Sequence, residues 1–151
     1  LIAGGGLGAS HYKIYPAKGY LVLSSTLQNG NTDLSLEASS VDQVFTPNSP
    51  SHNITKIKMG DLDADGLMDL AIGETSRVSS GFVSLVFASE LTSMVSPFHL
   101  LDAEHKISTG QKVSSLELID VDADGQKDVL VGGSGQNGSD PRTWLFLPCE
   151  N

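Results

Sequence analysis

Two stretches alternate apolar and polar residues with period two, ITKIKMG at 54–60 and VSSLELI at 113–119. Alternation of that kind puts every second side chain on one face and predicts a half-buried β-strand. Each stretch runs through an aspartate-rich segment into a short apolar run, LAIG at 70–73 or VLVG at 129–132, whose final glycine predicts the strand's end. A glycine-rich turn and a third strand follow, with YKIYP, FVSLVFA and TWLFLP as the third-strand candidates. A fourth strand is expected near LSLEAS at 34–39 and FHLLDA at 98–103. The segments SVDQVFTPNSPSHN and EHKISTGQK show no period and read as connections between units. A short helical turn fits ASELTSM, but no stretch sustains an amphipathic helix.

The same order of elements recurs along the chain. Asp61 and Asp120 open matching segments 59 residues apart. The opening LIAGGGLGASHYKIYPAKGYLVLSS fits the frame that follows each of them, with Leu1, Leu70 and Val129 equivalent at steps of 69 and 59. Four antiparallel strands repeating at this interval predict an all-β fold of β-propeller blades, in which ring closure protects the sheet edges. About two and a half repeats are present: 1–45 ends one blade, 46–105 forms a blade with the first aspartate loop, and 106–151 starts another with the second loop. A propeller needs at least about four blades. The expectation is therefore an incomplete ring, finished by further chain or by a partner, and the abrupt start in a buried-strand sequence fits a fragment of a longer protein.

Composition narrows the classes. At 151 residues, 39% hydrophobic with 16 glycines, the chain suits one ordered domain. No apolar run reaches membrane-spanning length, and no segment resembles a signal peptide. A net charge of −9 argues against nucleic acid and anionic membrane as partners. Eight of the twelve aspartates sit in the two repeated loops, and two bound divalent cations would bring −9 to −5. The acidity therefore reads as metal chemistry. The single cysteine, Cys149, excludes a disulfide within this chain.

The loops are GDLDADGLMDLAIG and IDVDADGQKDVLVGG. A hard cation such as Ca²⁺ takes six to eight oxygens in flexible geometry. Carboxylates at alternate positions supply them, because every second side chain can turn inward. Asp61, Asp63 and Asp65 do so in the first loop, and Asp120, Asp122 and Asp124 in the second. Gly66 and Gly125 follow where a sharp bend needs positive φ. Leu67 and Gln126, so different in side chain, fit a ligand role through the backbone carbonyl. Asp69 and Asp128 would close the sphere. An EF-hand needs a bidentate Glu at loop position twelve and flanking helices; that position holds Ile72 and Val131, and the flanks are strands. Zn²⁺ lacks His or Cys at ligand spacing, and Mg²⁺ prefers to keep its waters. The expectation is two structural Ca²⁺ sites, against a metal-free Asx turn.

The pattern Asp-x-Asp-x-Asp-Gly-x-x-Asp, then Leu or Val, any residue, Ile or Val, and Gly, resembles the calcium loop of FG-GAP and VCBS-type repeats, found in integrin α propellers and many secreted proteins. The resemblance implies that the loop joins the first two strands of a blade, that its ion is structural, and that ligands bind on other loops. Phe-Gly before the first strand is absent, and Gly-Ala-Pro after the second is replaced by GET, GGS and GGG, which places the chain nearer the VCBS-like type.

No catalytic constellation is visible. His11, His52, His99 and His105 are scattered, GGGLG lacks a following Gly-Lys-Ser/Thr, and no Gly-x-Ser-x-Gly elbow occurs. Trp144 and Phe146 read as packing residues. Asn53-Ile-Thr and Asn137-Gly-Ser are glycosylation triplets, which points to an extracellular or secretory setting. The favoured function is a non-catalytic binding or scaffold module for protein or glycan ligands. Two alternatives stand beside it: the propeller portion of a carbohydrate-active or phospholipase-type enzyme with catalytic residues elsewhere, and a cytosolic scaffold.

Overall fold

A computed structural model describes residues 2–4, 9–10, 13–14, 17–22, 41–76, 80–91, 93–135 and 140–147. Among the described residues the fold is all-β apart from one short α-helix and one 3₁₀ turn. Its strands are β1 (Ile2–Gly4), β2 (Ala9–Ser10), β3 (Lys13–Ile14), β4 (Gly19–Leu21), β5 (Gln43–Thr46), β6 (His52–Gly60), β7 (Asp69–Ser76), β8 (Gly81–Val86), β9 (Phe98–His99), β10 (His105–Ser108), β11 (Lys112–Ile119), β12 (Asp128–Ser134) and β13 (Arg142–Phe146). The helix α1 (Ala88–Leu91) falls within ASELTSM.

Three larger sheets form. The first runs β1-β4-β5-β9, the second β6-β7-β8-β10 and the third β11-β12-β13, while β2 and β3 pair separately. The second is a four-stranded antiparallel meander and the third repeats its first three strands. The second sheet lies between the other two, with an apolar cluster on each face. Leu70 and Ile72 join Leu21, Phe45 and Ile54 on one side. Ala71 and Val83 join Val113, Leu116, Val129 and Val131 on the other. Strand alternation explains the division: consecutive residues of β7 feed opposite cores. A strand buried on both faces reads as a nearly continuous apolar run, which is why LAIG shows no alternation.

Several expectations need correction. The fourth strand of the second sheet is β10, from a segment read as a connection, and not FHLLDA. Phe98 and His99 instead add to the first sheet, parallel to β5, with the Phe98 ring edge-on to Phe45 at 6.3 Å. Leu100–Asp102 is a 3₁₀ turn that buries Leu100. Strand β5 likewise comes from a segment read as a connection. Both β5 and β10 are short, with few inward apolar residues, so their pairing partners define them and periodicity does not. The described part of YKIYP is β3, which pairs with β2, and β4 is what pairs with β1. The predicted strand LSLEAS lies outside the described residues.

Glycines 73 and 132 do not end their strands. A Cβ on Gly73 would stand 3.1 Å from Val113 Cγ1, and one on Gly132 would stand 2.2 Å from Ser115 Oγ. These glycines let neighbouring strands and sheets approach closely, a second use of glycine inside a strand.

Candidate metal centres

Each aspartate loop spans the turn of a hairpin, between β6 and β7 or between β11 and β12, with Gly60 paired to Asp69 and Ile119 to Asp128. Backbone conformation concentrates the charge. Gly66 and Gly125 have φ of 82° and 96°, as their residue type requires, and Ala64 and Ala123 also sit at positive φ, 60° and 64°. Alanine pays a steric penalty there, and its double occurrence shows how strongly the loops impose one shape. The alanines carried no sequence signal beyond their shared register.

Hydrogen bonds repeat from loop to loop. Gly66 N donates to Asp61 Oδ2 at 3.0 Å, and Gly125 N to Asp120 Oδ2 at 3.1 Å. Asp65 N donates to Asp63 Oδ1 and Asp124 N to Asp122 Oδ1, both at 3.2 Å. Leu67 N reaches Asp65 Oδ1 at 2.7 Å, and Gln126 N reaches Asp124 Oδ1 at 2.8 Å. The result is two clusters, Asp61/Asp63/Asp65 and Asp120/Asp122/Asp124, whose ligand oxygens lie within 4.8 Å of one another. Either triplet could hold a metal ion. In both loops the remaining oxygen of the first aspartate, Oδ1 of Asp61 or Asp120, is buried with no hydrogen-bond donor. A carboxylate oxygen shielded from water and from donors is costly unless a cation compensates it, so the residues fit a bound cation.

The fourth aspartates take a different place. Neither Asp69 nor Asp128 is in its cluster of three, and both are fully buried. Asp69 Oδ2 accepts from Leu62 N at 2.7 Å, and Asp128 Oδ2 accepts from Val121 N at the same distance. Asp69 Oδ1 also accepts from Ala88 N at 2.8 Å. Burial pushes the Asp69 carboxyl above its ordinary range, the two amide bonds draw it back, and the charges of Asp63 and Asp65 raise it again.

A polar cluster that the sequence reading missed lies on the far part of β7. Glu74, fully buried, accepts from Asn48 N at 2.6 Å and from the Asn48 side-chain amide. His52 Nδ1 is 3.9 Å away, and its ring stacks on Phe82 at 5.6 Å. Burial pushes Glu74 up to about 7 and pulls His52 below its ordinary value. A usable signal existed: Glu74 stands in GET where the other repeats carry glycine.

Between the second and third sheets lies a cleft of about 910 Å³, walled by Leu62, Leu85, Phe87, Ile107, Val129 and Phe146. Glu90, Glu104 and His105 also reach it. Glu90 accepts from Phe87 N, and the His105 ring is edge-on to Phe87. No hydrogen bond links these three polar side chains to one another among the described residues. Trp144 and Phe146 pack against the second cluster, as expected. Of the other histidines, His99 accepts or donates at Thr46 Oγ1, and His11 lies outside the described residues. No helix among the described residues is long and apolar enough to cross a membrane. Comparison with protein-family models, with curated proteins and with solved structures finds no match for this chain.

Proposed function

We propose that this chain is a Ca²⁺-stabilised segment of a β-propeller of the FG-GAP/VCBS type, acting as a non-catalytic binding or scaffold module for protein or glycan ligands in an extracellular setting. The observation that carries the reading is the orphaned Oδ1 of Asp61 and of Asp120, the same atom buried without a donor in both copies. Ligands on opposite sides of a Ca²⁺ ion stand about 4.6–5.2 Å apart, so carboxylate oxygens within 4.8 Å of one another suit one ion. The all-oxygen donor set favours this cation over Zn²⁺. Leu67 and Gln126 would add their carbonyls. The ion's role is to hold the hairpin turn and not to activate a substrate.

Sheet stacking supports the propeller part. Leu70 pairs with Val86 and Val129 with Phe146, so Leu85 and Leu145 are equivalent, as are Ala71 and Leu130. Ala71 and Leu85 pack on the third sheet. Their equivalents lie on the outer face of the third sheet, where Ile119, Val121 and Leu145 are exposed. Leu62 is 3% exposed against the next sheet and its equivalent Val121 is 53% exposed. A fourth sheet of the same kind, the next blade, would cover that face. The cleft's apolar wall suits binding better than hydrolysis.

Calcium titration by calorimetry, with metal counting on the native chain and on Asp63→Ala and Asp122→Ala, tests the reading. Two ions per chain, and one in each variant, is the expected result. No bound metal at millimolar calcium would return both loops to ordinary turns.

A further inference from the structure

The cation reading leaves the cleft between the second and third sheets unused. Phe87, Ile107 and Phe146 border the apolar cluster of that interface yet are only partly buried, and all three line the cleft of about 910 Å³. A volume of roughly 300–1,000 Å³ is what a bound ligand or a few inserted side chains fill. The charge around it is of one sign. Asp63, Glu90 and Glu104 reach it, and no lysine or arginine does among the described residues. None of these three carboxylates has an ion-pair partner there. Asp63 belongs to the first aspartate cluster, which leaves Glu90 and Glu104 for a ligand. Glu90 is held in position, because its Oε2 accepts from Phe87 N at 3.0 Å. Glu104 is exposed, just before β10.

We propose that this cleft docks a basic peptide segment of a protein partner, seating one large apolar side chain between Phe87, Ile107 and Phe146 and pairing the lysine or arginine on either side of it with Glu90 and Glu104. The inference rests on the binding-module reading above and names the chemistry of its partner. Charge complementarity selects the occupant. Carboxylates beside low-dielectric walls focus a negative potential on the mouth of a cleft, and the ring faces of Phe87 and Phe146 also attract cations. A second copy of this chain, at a net charge of −9, is repelled there. A neutral glycan leaves both carboxylates unmatched and finds an aliphatic wall with few hydrogen-bonding groups. The apolar anchor supplies most of the affinity, while the exposed ion pairs set partner choice and on-rate.

Fluorescence anisotropy of a labelled hexapeptide, Lys-Lys-Phe-Leu-Lys-Lys, titrated with the chain in calcium buffer tests the inference. Replacing the peptide's phenylalanine and leucine with alanine should weaken binding at least about tenfold, a comparison that needs no protein variant to fold. Glu90→Gln, which keeps an acceptor for Phe87 N, combined with Glu104→Gln should weaken it roughly three- to tenfold, and about 0.5 M salt should erase that difference. Ile107→Ser should also weaken it about tenfold. Glu117→Gln, a carboxylate outside the cleft, should leave Kd unchanged, which separates docking from the general attraction of an acidic chain for cations. An unchanged Kd for the alanine peptide, an equal loss in Glu117→Gln, or no binding below about 1 mM peptide would overturn the inference. Self-association that Ile107→Ser abolishes would assign the cleft to a second copy and overturn it too. An oligosaccharide that binds where the peptide does not would overturn the inference and leave the binding-module reading standing.

Discussion

Replacing Glu74 with Gln should make the protein more stable at neutral pH and leave it nearly unchanged under mild acid. Glu74 is fully buried on β7, and burial, opposed by the Asn48 donors and the charge of Lys106, pushes its carboxyl from 4.5 to about 7. The unfolded chain thus releases this proton well before the folded chain does. For an acid with a raised folded pKa, the contribution to stability is fully present below the unfolded value, about 4.5, and is lost as pH rises through about 7. A difference of some 2.5 pK steps at 1.36 kcal/mol each amounts to about 3 kcal/mol, large against a net stability of ~5–15 kcal/mol. Glutamine carries no charge to desolvate. Its oxygen can accept from Asn48 N, and its NH₂ can meet Asn48 Oδ1 once that amide turns over, since Oδ1 is now buried without a partner. His52 complicates the profile in both proteins. Its lowered pKa costs stability as pH falls through 6.5, so the quantity to read is the difference between wild type and variant. Urea unfolding at steps from pH 4.5 to 8.5 supplies it. The variant should gain on the wild type by about 3 kcal/mol across that range, with the curve flattening above pH 8. A difference constant to within about 0.5 kcal/mol would show that Asn48 and Lys106 fully compensate the burial, and would refute the argument.

Chelation at a calcium level a hundredfold above Kd should remove about 2.7 kcal/mol and lower the calorimetric melting temperature by roughly 5–10 °C; an unchanged melting point refutes a structural ion. Leu62→Ala should cost about 2–5 kcal/mol, whereas Val121→Ala in the equivalent position should stay within about 0.5 kcal/mol for the chain by itself; equal losses in urea unfolding would contradict the assigned sheet stacking. The exposed outer face of the third sheet should make this chain self-associate, and Val121→Ser with Leu145→Ser should reduce it in light scattering. Expressed through a secretory route, Asn137 should carry a glycan and Asn53 should not, because Asn53 lies in β6 and its Oδ1 accepts from Ala17 N at 3.1 Å; occupancy at Asn53 by peptide mass spectrometry would refute that.

The order of strands around each aspartate loop was readable because those strands carry strong signals. Period-two alternation marks β6 and β11, apolar runs mark β7 and β12, and the aspartates fix the register between them. What the sequence hid was decided by partners elsewhere. Strand β10 has only Ile107 as an inward apolar residue, and it is a strand because β8 pairs with it from Phe82 to Leu85. Phe98 joins β5 because its ring meets Phe45 across the first core. The third strands also slip by one residue relative to a fixed step of 59, since Val86 matches Phe146 and not Leu145. At the candidate sites the three alternating aspartates come together as their spacing requires. The fourth does not join them, and for Asp69 no spacing rule could have shown it, because one of the amides that hold it, Ala88 N, lies 19 residues downstream.

That donor also shows how a cation could matter to packing and not only to its own turn. Leu62 lies between two cluster aspartates, Asp61 and Asp63, yet its side chain is buried in the core shared with the third sheet. Its N–H is fixed by Asp69, and Asp69 is fixed in turn by the start of α1. The preceding carbonyl, Asp61 O, accepts from Lys127 N of the second loop at 3.0 Å, while Lys58 and Glu117 pair at 2.8 Å between β6 and β11. The exposed Lys58–Glu117 pair contributes little alone. Leu62 is the stronger link, worth about 2–3 kcal/mol of apolar burial, and it is delivered by the same backbone that points the carboxylates. A loop that opens because four like charges repel would withdraw Leu62 from the intersheet core and release Lys127 N together. Cation binding in the first loop would therefore be coupled to cohesion between the second and third sheets, and the second loop, whose Val121 is 53% exposed, would lack that coupling until its outer face is covered.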